Sequence, residues 1–134
     1  MVIIGTALII LAPRLTSRPL HFTADLQEFS NNLEVTRGLA QSRTLQYRLR
    51  VISTSLYVVE QGLWSGGVWT FPITERTATL RSGVAFGEGY VGQAATFDSR
   101  GRLVGADMAF VIIDSARGWT RQVLVRTTGL VEIQ

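Results

Sequence analysis

The chain has no cysteine, no lysine and a single histidine, His21. Without cysteine there is no disulfide, no thiol nucleophile and no thiolate metal site. Without lysine there is no P-loop lysine, no Schiff base and no kinase-type lysine. One histidine excludes the usual multi-histidine metal sites. Charge is sparse too: 17% of residues are charged, the net charge is +3, and all 13 basic residues are arginine. No internal repeat and no low-complexity linker interrupts the 134 residues, a length that supports one domain. A hydrophobic content of 46% argues against a disordered chain.

What is present begins at the N-terminus. Residues 2–12 carry no charge, and Pro13 and Arg14 follow. Val2, Ile3, Ile4, Gly5, Leu8, Ile9, Ile10 and Leu11 belong in lipid or in a packed helical core. A single membrane span needs about 20 apolar residues. The run therefore reads as the second half of a transmembrane helix, with roughly nine or more residues expected upstream. A buried core helix fits the length as well. A basic leader and a small-x-small cleavage site, the marks of a secretory signal peptide, are missing. Pro13 and Pro19 predict a kinked or melted joint, because each proline removes a helix hydrogen bond. The expected division is thus residues 1–21, an apolar helix and joint, and residues 22–134, a globular domain.

From Phe22 the period becomes helical. Phe22, Leu26, Phe29, Leu33, Thr36 and Ala40 recur every three or four residues, predicting a helix over about 22–42 with one stripe packed on a sheet. Asp25, Gln27, Glu28, Asn31, Asn32 and Glu34 fill much of its polar remainder. Period two follows, with Leu45, Tyr47, Leu49 and Val51 alternating with polar residues. Further strands are expected at 55–60 and at 68–71, the latter ended or edged by Pro72. Residues 77–81 and 83–86 form short segments. The C-terminal strands at 94–97, 109–113, 119–126 and 130–133 are separated by turn-forming stretches, and read as successive antiparallel hairpins.

This order of parts resembles the type IV pilin-like proteins, and within them the H-type pseudopilins of type II secretion and the FimT-type minor pilins. Gly5 followed by Pro13 within an Ile/Leu/Ala run matches the second half of the pilin N-terminal helix. Thr36-Arg37-Gly38-Leu39-Ala40-Gln41-Ser42-Arg43 resembles the family's helix end, leading into the strand at 45–52. Phe97-Asp98-Ser99-Arg100-Gly101-Arg102 resembles its Phe-x-x-x-Gly-Arg turn, and residues 122–133 its closing hairpin. The sequence departs from the family in showing no prepilin leader, peptidase site or early acidic residue. Arg14 and Arg18 also lie on the flank that a pilin exports, against the positive-inside rule.

Other motifs have simpler readings. Gly87-Glu88-Gly89-Tyr90-Val91-Gly92 spells G-x-G-x-x-G, but strand character follows it where a dinucleotide site needs a helix. A turn-rich loop is expected. His21 has no visible nucleophile beside it. Asp98, Asp107 and Asp114 lack calcium-loop spacing and read as turn and strand-end carboxylates. Trp64, Trp69 and Trp119 read as core filling. Arg100, Arg102, Arg117, Arg121 and Arg126 cluster in or beside the C-terminal turns, where one basic face could contact phosphates without sequence preference. The resemblance adds that FimT-type minor pilins bind DNA through a basic C-terminal region, although here the segment after Gly129 contains Glu132 and no arginine.

The expectation is an α+β chain, an N-terminal helix packed on an antiparallel sheet domain, with neither catalytic site nor cofactor nor metal. The resemblance implies a minor pilin or pseudopilin. Residues 2–13 would rest in the bacterial inner membrane and then enter a filament core, with the domain in the periplasm or at the cell surface. Its partners would be other pilins or pseudopilins and an inner-membrane assembly platform. The alternative is a DNA-binding minor pilin acting in DNA uptake.

Overall fold

The computed structural model describes the backbone of residues 2–134 and the side chains of residues 21–134. The helical stripe becomes the C-terminal half of one long helix, α1 (Val2–Arg43), about 63 Å at 1.5 Å per residue. Helical backbone continues through Pro13 and Pro19, so the joint does not melt. A proline interrupts a single i→i−4 bond locally, and the turns on either side can carry the helix past it. The side-chain environment expected for Val2 through Leu11 and Pro13 lies outside the described residues. Among the described residues, no helix is long and apolar enough to cross a membrane. α1 stops with Thr44 in the left-handed region (φ 55°), while the Leu45 N–H reaches back to the Ala40 carbonyl at 3.2 Å. That six-to-one bond closes the helix in a Schellman arrangement.

Eight strands follow: β1 (Tyr47–Val51), β2 (Leu56–Ser65), β3 (Val68–Thr79), β4 (Val84–Phe86), β5 (Ala94–Phe97), β6 (Met108–Asp114), β7 (Trp119–Val125) and β8 (Val131–Ile133). They form two four-stranded antiparallel sheets, ordered β3-β2-β1-β5 and β4-β6-β7-β8. This corrects the expectation of one run of C-terminal hairpins. β5 pairs with β1, and residues 98–107 cross to the second sheet before β6 begins. The loop is too long for a tight hairpin, and Leu103 within it bridges back to Phe97. The stretch 87–92 is a loop with a single 3-10 turn at Glu88–Tyr90, not a helix N-terminus.

β3 is longer than its sequence predicts. It runs through Pro72 because it is an edge strand, and because two register shifts absorb the irregular residues. One shift sets Phe71 and Pro72 opposite Gly62 alone. A bulged edge is where a strand tolerates proline.

The stripe of α1 covers both sheets. Phe22, Leu26, Phe29, Leu33, Thr36 and Ala40 are all buried. Phe29 sits at the centre. Its ring meets Tyr57 of β2 at 5.0 Å, Phe86 of β4 at 5.2 Å and Phe110 of β6 at 5.1 Å, each edge-on. One side chain thereby ties the helix to both sheets. Each fully buried side chain of this kind contributes about 1.5–3 kcal/mol. The tryptophans do not fill this core, contrary to expectation: Trp64 and Trp119 are exposed and Trp69 is half-buried. Phenylalanine and tyrosine fill the space instead.

Candidate functional site

Two residues of the helix's expected polar face, Asp25 and Asn32, are buried and fully engaged. The Arg81 backbone N–H donates to Asp25 at 2.8 Å. Asn32 donates to the Tyr57 hydroxyl at 2.8 Å and accepts from Arg76 at 2.6 Å. Burial pushes the Tyr57 hydroxyl up to about 12 despite the bond from Asn32. On the outer face of the first sheet, Glu60 is buried between Arg48 (2.8 Å) and Arg50 (2.9 Å). Burial by itself would raise its carboxyl. The bonds from Arg50 and Arg48 outweigh that and hold it below the ordinary value.

The C-terminal turns are locked to the end of α1. Arg37 donates to the Gly101 carbonyl at 2.8 Å, and Gln41 to the Arg100 carbonyl at 3.2 Å. Gly129 has φ 93° and lies against the Gly101 carbonyl and the Arg37 guanidinium, with no room for a Cβ. In the sequence Arg37 stands out only as part of the helix end. Its pairing with two distant turns has no signal in spacing.

The five candidate phosphate-contacting arginines fall into two groups. Arg100, Arg102 and Arg126 lie together, because the Leu103 N–H donates to the Thr127 carbonyl at 3.0 Å. Arg102 faces Asp98 at 3.8 Å, and Arg126 faces Asp107 at 3.4 Å and Glu132 at 3.6 Å. Arg117 precedes β7 and Arg121 lies in its first half, about 17 Å from Arg126 along the strand. Arg117 stacks on Trp119 at 5.0 Å, and Arg121 donates to the Gln134 carbonyl at 2.8 Å. The five arginines therefore do not lie in one group, and acidic partners accompany Arg102 and Arg126.

His21 lines a cleft of about 500 Å³ with Ser82, Asp114 and Ser115. Asp114 is occupied by the Ala116 and Arg117 backbone N–H groups at 3.1 and 3.3 Å. Ser115 donates to the Gly83 carbonyl at 3.1 Å. The Asp114 bonds build the β6–β7 turn, and the Ser115 bond ties that turn to the residue before β4. Asp98 likewise accepts from the Arg100 and Arg102 N–H groups, and Asp107 from that of Thr127. Among the described residues, no group of three or more His, Asp or Glu side chains could hold a metal ion.

Two further surfaces remain. The β2–β3 hairpin projects past β1, whose first residue, Tyr47, is paired with Gln61. The Gly62 N–H still reaches the Gln46 carbonyl at 2.7 Å; from Leu63 onward β2 and β3 pair with each other, closing at Gly66 (φ 61°) and Gly67 (φ 82°). These angles suit a type I′ turn. Trp64 and Trp69 pair across the strands with rings 5.6 Å apart. At the hairpin base, Arg43 bonds Tyr47 at 2.7 Å and Glu75 at 2.8 Å. The second surface is a notch of about 690 Å³ between the start of the packed helix and the second sheet, lined chiefly by Phe22, Leu26, Trp119, Arg121 and Ile133. The signal for the hairpin lay in the sequence: two apolar runs about a Gly-Gly turn, with no charge between Glu60 and Glu75.

This architecture has solved counterparts. The chain superimposes on the type IV minor pilin FimU of Pseudomonas aeruginosa with TM-score 0.69 and 17% identity, covering 90% of this chain and 92% of that one. A second crystal structure of FimU gives TM-score 0.64 and 16% identity, over 84% and 91%. The minor pseudopilin EpsH of the Vibrio cholerae type 2 secretion system gives TM-score 0.63 and 16% identity, over 85% and 96%. The chain has the pilin-like fold. No protein-family model matches it, and no curated protein matches it in sequence.

Proposed function

We propose that this chain is a structural subunit, a minor pilin or minor pseudopilin, of a type IV pilus or type II secretion filament. One observation carries the reading: a single long helix, opening with the uncharged run 2–12, lies across two sheets in the arrangement of FimU and EpsH over most of the chain. In this reading the apolar start of α1 rests in the inner membrane and then moves into a filament core of like helices. Transfer between two apolar surroundings keeps those side chains out of water in both places. The sheet domain faces outward toward neighbouring subunits and the assembly platform. The divided arginines do not favour DNA binding over this role.

The test is the location of the native protein and the mass of its N-terminal peptide. Recovery with membranes and with filaments sheared from cells, and an N-terminus carrying an N-methylated residue, support the proposal. Recovery in the soluble fraction alone removes it. Salt-sensitive binding of the chain to DNA would bring back the nucleic-acid role.

A further inference from the structure

Charge is sorted by depth at one pole of the domain. β7 runs in the direction of α1: Trp119 at its start lies beside Phe22 at 6.2 Å, and Gly129 beyond its end lies on Arg37. The β6–β7 turn, residues 115–118, therefore projects from the level of Phe22 back toward the uncharged run 2–12. Residues 81–83 meet it there, because the Ser115 N–H donates to the Gly83 carbonyl at 2.9 Å, and His21 lines the cleft between them. The acids at this pole are inside. Asp25 and Asp114 are 1% and 3% exposed, and backbone N–H groups occupy both. The cations are outside: Arg117 is exposed, and the Arg81 side chain is 46% exposed although it faces Asp25 at 3.7 Å. Residues 80–84 and 115–120 contain no Asp or Glu.

Trp119 completes the pole. It is 44% exposed, buried Phe22 stands behind it, and the Arg117 guanidinium lies over its ring at 5.0 Å. An indole has an apolar body and one N–H, the combination that settles at the level of lipid headgroups. A guanidinium forks onto phosphate oxygens. The spacing fits as well. Phe22 lies ten residues past Ala12 on α1, about 15 Å. Headgroups occupy about 5–8 Å on each side of the hydrocarbon. At most about 10 Å then separates them from the level of Phe22. The turn and the arginine side chains extend into that gap.

We propose that this pole docks on the anionic phospholipid headgroups of the bilayer that holds the start of α1, with Trp119 at the interface and Arg81 and Arg117 on lipid phosphates. The inference rests on the filament-subunit reading, in which the apolar run lies in a membrane before assembly, and gives the waiting subunit a second hold. Each arginine near an anionic surface strengthens such docking about fivefold. A hold of this size orients the domain and is released without unfolding when the subunit leaves the membrane.

The test places the full chain in vesicles whose acyl chains carry bromine, which quenches an indole only near contact. Trp64→Phe with Trp69→Phe leaves Trp119 as the reporter. Trp69→Phe with Trp119→Phe leaves Trp64, on the hairpin that starts beside Arg43, about 32 Å further along α1. In phosphatidylglycerol-rich vesicles Trp119 should be quenched and Trp64 should not. The quenching of Trp119 should fall in phosphatidylcholine vesicles and at high salt. Arg117→Gln and Arg81→Gln should each weaken the docking about fivefold, and Arg117→Lys should retain it. Circular dichroism checks each fold, and Arg117, in an exposed turn, keeps the test open should R81Q unfold. Trp119 left unquenched in a chain that floats with the vesicles overturns the docking and leaves the membrane-held subunit. Trp64 quenched as strongly as Trp119 also overturns it, as does quenching that neither phosphatidylcholine nor R117Q diminishes. A chain that floats with neither vesicle removes the docking and the membrane placement together. Quenching that needs anionic lipid, in a chain never recovered with filaments, keeps the docking and removes the subunit role.

Discussion

Phe29 and Trp64 are both large aromatic residues on the same chain, yet Phe29 is fully buried and Trp64 is 57% exposed. Each has edge-to-face aromatic company, three rings for Phe29 and one for Trp64. The difference lies in what stands behind them. Phe29 is covered by elements from both sheets. Trp64 has only the opposing strand of its own hairpin. Side chains of one chemical class thus hold the fold together under α1 and form a surface beyond its C-terminal end. Composition alone does not separate these roles; topology does.

The largest effect should come from the covered side. Phe29→Ala removes the ring shared by Tyr57, Phe86 and Phe110, leaving a cavity between helix and sheets. The expected loss is about 3–5 kcal/mol, read by chemical denaturation followed by circular dichroism. A loss below about 1 kcal/mol would mean that the two sheets hold without the helix ring, and the comparison would fail on its stronger side.

Glu60 stands at the boundary, the last charge before the uncharged hairpin. Glu60→Gln keeps the shape and removes the charge that Arg48 and Arg50 share. Those arginines are 27% and 35% exposed, so water screens part of the pair. The expected cost is about 1–2 kcal/mol at neutral pH. Because the folded carboxyl lies below its ordinary value of 4.5, this contribution is present above that value. It disappears as pH falls through the lower folded value. Wild type and E60Q should therefore converge in acid, and unfolding curves at several pH values check it.

Parts of this division are legible in the sequence. The helix stripe from Phe22 to Ala40 repeats with period 3.6, and β1 and the C-terminal strands alternate or end in turn residues, so local pattern reveals them. The extent of β3 is hidden because Pro72 and two bulges break its alternation. The split into two sheets is hidden because β5 finds its partner in β1, far back in the chain. The five arginines share one stretch of sequence, but a strand of seven residues sets its ends about 20 Å apart. Asp25 and Asn32 look like solvent-facing helix residues until their partners, Arg81 and Tyr57, are brought in from other elements.

Tyr57 is a further probe of the covered side. Tyr57→Phe leaves Asn32 without its acceptor, at a cost of about 1–2 kcal/mol. The wild-type hydroxyl is held up to about 12, against 10.0 ordinarily. A raised acid favours the neutral folded form. Its contribution is complete below 10 and is lost as pH rises from there toward 12. Y57F should lack this alkaline loss, which unfolding measured at rising pH would show as a flatter profile.

The smallest effect on stability should come from the exposed side. Trp64→Ala removes one partner of a surface pair whose geometry is worth about 0.5–1.5 kcal/mol when well packed. Over half of the Trp64 surface already meets water, so the loss should fall at or below the low end of that range. Phe29→Ala should destabilise the domain far more. If unfolding instead shows Trp64→Ala as costly as Phe29→Ala, the hairpin belongs to the core and the two regions are one. A stable W64A chain would separate the side chains that fold this protein from those that its hairpin presents to solvent.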